Sequence, residues 1–195
     1  MRIAPTPLPW PQHNQGDYLL QPDEIHLWQA PLQLASTVTA DTVRILSEKE
    51  LNQASRFATP DLRNQYIAGR FWLRYLLGKY CKLSPEQIHF SEGFNGKPLF
   101  PAGDIHFNLS HSGQTAIYGF SGRDKIGVDI EVIRTDIRPL VIANRFFSGD
   151  EQRRLAELAA DNRVEAFFEC WTRKEAYCKA TGLGLQQPLS IFSVR

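Results

Sequence analysis

The chain has 195 residues, a formal net charge of +1 and a charged fraction of 22%, and these values exclude several classes of protein. A nearly neutral chain has no overall field that would attract nucleic acid or a membrane surface, so neither is an expected partner. No apolar run reaches the length of a membrane span, and the first residues lack the apolar core of a secretion signal. Cys81, Cys170 and Cys178 have no metal-ligand spacing and cannot all pair, which predicts a reducing, cytoplasmic location.

The N-terminal part begins with a segment that we expect to be extended. Residues 1–24 are rich in proline and lack periodicity, which predicts an arm lying on the surface. Residues 25–28 alternate in the manner of a strand. Ser47 and Glu50 have the spacing of a capping box, so a helix should run from here to about Phe57.

A longer helix is predicted from residue 60 to residue 80, because its apolar residues recur at helical spacing. Its arginines fit a solvated face, with anion binding as the alternative: Arg63, Arg70 and Arg74. Residues 88–90 read as a strand, which resumes at residues 99–100 after a turn-rich loop at 93–98. Lys97 in that loop could supply charge to a ligand that approaches the glycine backbone, although a simple hairpin explains the loop equally well.

Residues 105–110 and 115–120 alternate on either side of a polar tip, which predicts a β-hairpin. Ser110 and His111 are neighbours in the first of these strands. Adjacent strand residues point to opposite faces, so the two are poorly placed as a nucleophile and its base. Hydrogen bonding to a phosphate is the alternative role for them.

The most informative stretch is Lys-Ile-Gly-Val-Asp-Ile-Glu at residues 125–131. Its period of two predicts a strand that presents Asp129 and Glu131 on one face, roughly 6–7 Å apart. Two carboxylates so close together are stabilised by a cation, and hard oxygen ligands suit Mg²⁺. A half-exposed strand with a solvated acidic face is the alternative.

The C-terminal part repeats the order of elements in the first. A second capping box at residues 148–151 predicts a helix through Leu158, and a longer helix follows from 164 to 180, ended by Gly182. Residues 189–194 read as a strand. The two capping serines are 101 residues apart, which suggests a duplication with a ligand site between two lobes. Because the chain stops after an apolar strand, we expect further C-terminal residues to be missing from it.

The last long helix carries a third acidic element. Trp171, Glu175 and Lys179 lie roughly on one stripe of this helix. Glu175 and Lys179 fit a surface ion pair worth about 0.3 kcal/mol. Glu175 could instead complete a Mg²⁺ site with the two strand carboxylates, leaving Lys179 one turn away to meet a phosphate.

Five short motifs occur together in this chain and are highly specific as a set. They are Gly-Lys-Pro at 96–98, Asn-Leu-Ser-His-Ser-Gly at 108–113, Ile-Gly-Val-Asp-Ile-Glu at 126–131, Arg-Phe-Phe-Ser at 145–148 and Trp-Thr-Arg-Lys-Glu-Ala-Tyr-Cys-Lys at 171–179. In this order the motifs resemble the surfactin-synthetase-type 4′-phosphopantetheinyl transferases, over about residues 45 to 195. These enzymes move phosphopantetheine from coenzyme A to a serine of an apo acyl or peptidyl carrier protein and release 3′,5′-ADP.

The resemblance implies an α+β fold and a monomer. Two similar α/β lobes would be related by pseudo-two-fold symmetry, each an antiparallel sheet packed on a long helix, with coenzyme A between them. The N-terminal lobe would span 25–104 and the C-terminal lobe 105–195, after the arm at 1–24.

The resemblance also implies roles for individual residues. Asp129, Glu131 and Glu175 would hold Mg²⁺, or Mn²⁺ in its place. Glu175 would be the general base, directly or through water, and Lys179 would contact the transferred phosphate. The nucleotide end would be bound by Lys97, Asn108, Ser110 and His111. Some relatives have basic residues for the 3′-phosphate in the first capped helix, where this chain has Glu50 and Gln53. Arg56 would contact the 3′-phosphate in their place, with Arg63 or Arg70 helping.

Two other functions remain open from the residues alone. One is a module that binds coenzyme A or a carrier protein without turnover, and the four residues Asp129, Glu131, Glu175 and Lys179 argue against it. The other is a Mg²⁺-dependent phosphohydrolase that uses the same carboxylates. A hydrolase would consume coenzyme A with water alone, whereas a transferase requires the carrier protein.

Overall fold

A computed structural model of the chain describes residues 18–32, 40–93, 98–101, 105–182 and 188–194. Most of the predicted arm at 1–24 and the predicted ligand residue Lys97 therefore lie outside the described residues. The strands are β1 (Ile25–Pro31), β2 (Ser91–Glu92), β3 (Pro98–Leu99), β4 (His106–Ser112) and β5 (Thr115–Ser121). The helices are α1 (Ala40–Ile45), α2 (Glu48–Ala54), α3 (Pro60–Cys81), α4 (Pro139–Phe146), α5 (Gly149–Glu157) and α6 (Arg163–Thr181).

The strands form one antiparallel sheet with the order β1-β5-β4, and β2 and β3 form a separate short ribbon. The expected α+β class with an antiparallel sheet is confirmed. The predicted hairpin is also confirmed as β4 and β5, in which Phe107 pairs with Phe120 and Asn108 with Gly119. The predicted strand at 88–90 lies slightly later, as β2.

One face of the sheet packs on α3, because the alternating side chains of β4 and β5 on that face are apolar. Phe107, Tyr118 and Phe120 are buried there with α3 residues such as Leu73 and Leu77. The Tyr118 hydroxyl also donates a hydrogen bond of 3.0 Å to the backbone oxygen of Gly69 in α3. A separate apolar cluster joins α4, α5 and α6.

Each capping box is joined to the following long helix by a buried ion pair. Glu50 closes the first box and lies 2.7 Å from Arg74 of α3, whereas Glu151 closes the second and lies 2.7 Å from Lys174 of α6. Both cations also donate to backbone oxygens further along the chain. Arg74 reaches Pro85 and Ile88, and Lys174 reaches Leu189 and Phe192.

The prediction of a strand at 125–131 is wrong, because residues 122–134 form no backbone ladder with any described strand. The acidic segment, which we define as residues 126–132, lies across the sheet face opposite α3. There, a Cβ on Gly119 would lie 2.6 Å from Val128 and 2.8 Å from Ile126. The apolar residues of the alternating pattern do face the sheet. The backbone of the segment, however, forms hydrogen bonds with side chains of β4 and not with the backbone of a neighbouring strand.

The prediction of a strand at 189–194 is also wrong, since a 3₁₀ turn occupies Leu189–Ile191. Lys174 binds two backbone oxygens of this segment, and the amide of Val194 donates 2.8 Å to Oε1 of Glu151. Backbone groups that would pair with another strand in a sheet are therefore hydrogen-bonded to the buried side chains of Lys174 and Glu151 instead.

The second half differs from the expectation that each lobe has its own sheet. Its two strands, β4 and β5, join β1 of the first half, and the described residues after β5 contain no further strand. Within the described residues, none of the helices combines the length and the apolar character that crossing a bilayer requires.

Candidate active site

The acidic segment is held by three polar side chains from alternate positions of β4. The amide of Val128 donates to Oδ1 of Asn108 at 2.9 Å. The Ser110 hydroxyl donates to Oδ1 of Asp129 at 2.8 Å. Residues at alternate positions of a strand share a face, so these side chains all point to the segment that crosses the sheet.

Ser112 provides the third of these contacts. Its hydroxyl donates to Oε2 of Glu131 at 2.9 Å and accepts from the amide of Val132 at 3.0 Å. The contacts advance along β4 and along the acidic segment in the same direction. Asp129 and Glu131 therefore each meet a serine hydroxyl.

Helix α6 covers the other side of the acidic segment at Gly127. A Cβ on Gly127 would lie 1.9 Å from the backbone oxygen of Ala176 and 2.5 Å from the backbone nitrogen of Ala180. Only a residue without a side chain allows this close approach. Because Glu175 and Lys179 each precede one of these alanines, the packing brings the acidic part of α6 to the acidic segment.

Lys179 is in direct contact with two predicted site residues. Its Nζ donates to Oδ1 of Asp129 at 2.6 Å and to the Ser110 hydroxyl at 2.8 Å. The side chain of Asp129 is 5% exposed, whereas that of Lys179 is 30% exposed. The ammonium group thus neutralises a buried carboxylate while it remains within reach of solvent.

Glu175 is close enough to the same groups for their charges to affect its titration. Burial raises the pKa of the Glu175 carboxyl, and the negative charges of Asp129 and Glu131 raise it further. The positive charge of Lys179 acts in the opposite direction. The three carboxylates therefore share one electrostatic environment, which a cation would stabilise.

The donor set fits a divalent cation that is completed by a ligand. Oδ2 of Asp129 is buried and has no hydrogen-bond partner among the described residues. In the part of the chain that is described, no three His, Cys, Asp or Glu side chains converge closely enough to hold an ion on their own. Mg²⁺ commonly takes only one or two carboxylates together with phosphate oxygens and water. Asp129, Glu131 and Glu175 have the charge and donor type for such an open site.

A polar pocket of about 880 Å³ lies among α2, α3 and the β2–β3 ribbon, and is lined only by residues between 47 and 98. We call it the basic pocket. Its basic lining residues are Lys49, Arg56, Arg70, Arg74 and His89. Arg74 is buried against Glu50, whereas Arg56 is exposed. Arg70 lies over the rings of Tyr66 and Phe90, at 5.4 and 5.9 Å from their centres.

The structure brings some predicted site residues together and separates others. Asp129, Ser110 and Lys179 are in direct contact, while Asn108 contacts the backbone of the acidic segment. His111 is exposed and, as expected for a strand neighbour of Ser110, lies on the opposite face of β4. Arg56 lies in the basic pocket.

Sequence reasoning did not assign a role to Ser112 or Lys174. Ser112 follows Ser110 by two residues, as Glu131 follows Asp129, and this matched spacing is the signal that could have identified it. The burial of Lys174 has no comparable signal, because a lysine in the middle of a helix is ordinarily exposed.

Comparisons with known proteins match both halves of the chain. Residues 34–119 match the model of the 4′-phosphopantetheinyl transferase N-terminal family, and residues 125–195 match that of the 4′-phosphopantetheinyl transferase superfamily. The 4′-phosphopantetheinyl transferase HetI of Nostoc is 38% identical over 84% of this chain and 70% of its own length. The 4′-phosphopantetheinyl transferase Sfp of Bacillus subtilis is 35% identical over 77% of this chain and 66% of its own length. The 4′-phosphopantetheinyl transferase AcpT of Salmonella typhi is 37% identical over 67% of this chain and 65% of its own.

Proposed function

Because the chain belongs to the 4′-phosphopantetheinyl transferase family, we propose that it transfers 4′-phosphopantetheine from coenzyme A to a serine of an apo acyl or peptidyl carrier protein. The observation that carries the proposal is the contact of Lys179 with Asp129, which joins α6 to the acidic segment. An acidic cluster that can hold a divalent cation, with a lysine beside it, suits a pyrophosphate, because the cation and the lysine neutralise its charge as it reacts.

In the proposed reaction, the serine oxygen of the carrier protein attacks the phosphorus that bears pantetheine. The bond from this phosphorus to the bridging oxygen breaks, and 3′,5′-ADP leaves with the bonding electrons. Glu175 takes the serine proton, directly or through a bridging water, and it acts as a modest base because a bound cation would lower the pKa of its carboxyl. Lys179 faces the phosphoryl group as negative charge moves to the leaving oxygen.

Asp129, Glu131 and Glu175 would hold Mg²⁺, or Mn²⁺ in its place. When bound, the ion supplies charge neutralisation to the pyrophosphate. The unpartnered Oδ2 of Asp129 supports this assignment. The attacking group belongs to the partner, so the chain needs no nucleophile of its own.

We propose that the basic pocket receives the nucleotide end of coenzyme A. Arg56 and Arg70 would meet the 3′-phosphate, with the Arg70 guanidinium held over the rings of Tyr66 and Phe90. Further contacts to coenzyme A would come from Lys97, Ser110 and His111.

Two matched buried ion pairs support the proposed pseudo-two-fold relation of lobes at 25–104 and 105–195. Glu50 with Arg74 and Glu151 with Lys174 occupy equivalent places between a capped helix and a long helix. α1, α2 and α3 also recur in order as α4, α5 and α6. The two lobes would then be joined by the single sheet that contains β1, β5 and β4.

A monomer in the cytoplasm completes the proposal. The three cysteines all lie in the described part of the chain and form no disulfide, which agrees with a reducing compartment.

The test is a panel of apo acyl and peptidyl carrier proteins incubated with coenzyme A and Mg²⁺ and analysed by intact mass. We expect at least one to gain a phosphopantetheine unit with the wild type, and to gain almost none with Asp129→Ala. Asp150→Ala is the matched control, because Asp150 forms an exposed ion pair with Arg153. No mass gain on any carrier would contradict the transferase. Loss of coenzyme A without a carrier would favour a hydrolase, and binding of coenzyme A without turnover would favour a binding module.

A further inference from the structure

The hydroxyl of Ser112 makes two hydrogen bonds that no proposed step yet uses. It donates to the Glu131 carboxylate and accepts from the amide of Val132, the next residue. A serine hydroxyl has one proton and two lone pairs, so it can make both bonds at once. This single side chain therefore fixes the carboxylate and the backbone next to it.

Glu131 needs such a restraint more than Asp129 does. The residue Glu131 is exposed, whereas the Asp129 side chain is 5% exposed and also contacts Lys179. A long exposed carboxylate has many rotamers, and ordering it in one of them costs side-chain entropy. Ser112 is the residue that selects one of these rotamers in advance.

Asn108 acts on the same segment at its buried end. Its side-chain oxygen accepts from the amide of Val128 at 2.9 Å in a buried contact. Because the acidic segment forms no backbone ladder with the sheet, this bond and those of Ser110 and Ser112 set its alignment along β4. A shift of the segment by one residue would turn Asp129 and Glu131 away from the serines.

We propose that Ser112 and Asn108 are positioning residues that hold Glu131 and the acidic segment in the conformation that receives a divalent cation. The proposal rests on the proposed function. Residues that hydrogen-bond a metal-ligating carboxylate orient it before binding, and their loss typically lowers metal affinity or activity by about 10- to 100-fold. Asn108, earlier expected to contact coenzyme A, acts here on the protein backbone.

The experiment compares Ser112→Ala with Ser112→Thr, because threonine retains the hydroxyl and is well accepted in strands. Calorimetry measures Mg²⁺ binding to each variant of the whole 195-residue chain, in the presence of coenzyme A and without a carrier protein. We expect Ser112→Ala to bind Mg²⁺ about tenfold more weakly and Ser112→Thr to bind within about twofold of the wild type. In the transfer assay, the Mg²⁺ concentration for half-maximal rate should rise for Ser112→Ala, while the KM for coenzyme A stays within about twofold.

Ser193→Ala is the matched control, because it also removes one serine hydroxyl. That hydroxyl forms an exposed hydrogen bond of 2.7 Å with Ser148, the residue between α4 and α5. Equal Mg²⁺ affinity of Ser112→Ala and the wild type would overturn the proposal, as would failure of Ser112→Thr to restore affinity. A purely structural role would lower thermal stability and affect the Mg²⁺ and coenzyme A dependence alike. If the wild type modified no carrier, the proposed function would fail, but the calorimetric comparison would still decide the role of Ser112.

Discussion

The backbone of Ala176 packs directly on Gly127, so that a Cβ on this glycine would lie 1.9 Å from the Ala176 oxygen. This contact sets the distance between α6 and the acidic segment. On its other side the segment packs against Gly119 of β5, where a Cβ would lie 2.6 Å from Val128. The acidic segment lies between α6 and the sheet. It fits there because Gly127, in the segment, and Gly119, in the sheet, have no side chains, and this brings its carboxylates close to α6.

Gly127→Ala should therefore separate the parts of the site. The added methyl group meets backbone atoms of α6 that cannot rotate away, so we expect a loss of at least about 1–3 kcal/mol in the free energy of unfolding, together with a large loss of transfer. Gly149→Ala is the control, because a Cβ there has no atom within 4 Å and lies at the first position of α5. Urea unfolding and intact-mass assays of both variants test this. Equal stability of Gly127→Ala and Gly149→Ala would show that the packing at Gly127 is not tight.

Lys179→Met should weaken both the fold and the reaction. The variant leaves the buried Asp129 carboxylate without its cation, which should lower the free energy of unfolding by about 2 kcal/mol in the absence of Mg²⁺. Loss of the positive charge that we propose faces the phosphoryl group should reduce the transfer rate by about 100-fold. Lys79→Met, on α3 next to the Tyr75 ring, is the control and should change neither quantity much. A Lys179→Met enzyme with the wild-type rate would exclude a role for this lysine in the transfer.

Helix ends were the part of the fold that the sequence predicted best. Both capping boxes are present, with Ser47 and Ser148 as N-caps, and α6 ends at Gly182 with a φ of +74°. These signals depend on side chains bonding their own local backbone, so they need no knowledge of the tertiary structure. The helices α1 and α4 were missed, and α4, although longer than α2, has no side-chain cap at its N-terminus to signal where it begins.

Alternating patterns were the least reliable signals. Residues 125–131 and 189–194 both alternate, yet neither is a strand, because their polar groups bond side chains from elsewhere in the chain. Alternation reports which residues face an apolar layer, not what the backbone pairs with. The acidic residues could be proposed from type and spacing, whereas the contact of Lys179 with Ser110 depends on packing between residues 69 positions apart.

The basic pocket gives a prediction about the 3′-phosphate. Arg70→Met should raise the KM for coenzyme A by about tenfold, because one charge-assisted contact to a phosphate is lost. It should change the KM for 3′-dephospho-coenzyme A by less than about twofold, since that substrate lacks the phosphate. Steady-state kinetics with both substrates tests this, with Arg63→Met, an exposed arginine of the same helix outside the pocket, as the control. Equal effects on the two substrates would place the 3′-phosphate elsewhere.

The buried pair of Glu151 and Lys174 gives a prediction about pH. Burial alone would raise the pKa of Glu151, but hydrogen bonds from Lys174, Val194 and Ser148 outweigh it and hold the pKa below that of an ordinary glutamate. A carboxyl whose pKa is lower in the folded state stabilises the protein at pH values above its unfolded pKa. That stabilisation is lost as the pH falls through the folded pKa.

Glu151→Gln should therefore destabilise the protein in a pH-dependent way. At pH 7 it leaves Lys174, whose side chain is 0% exposed, without a carboxylate, and we expect a loss of about 3–5 kcal/mol. The difference from the wild type should shrink as the pH falls below about 4.5, because the wild-type carboxyl then takes up a proton as well. Urea unfolding across this range measures it, with Asp150→Asn, which breaks an exposed ion pair, as a control expected to cost no more than about 1 kcal/mol. A constant difference between Glu151→Gln and the wild type from pH 7 down to the acid limit would mean that packing, not charge, connects α5 to α6 at this point.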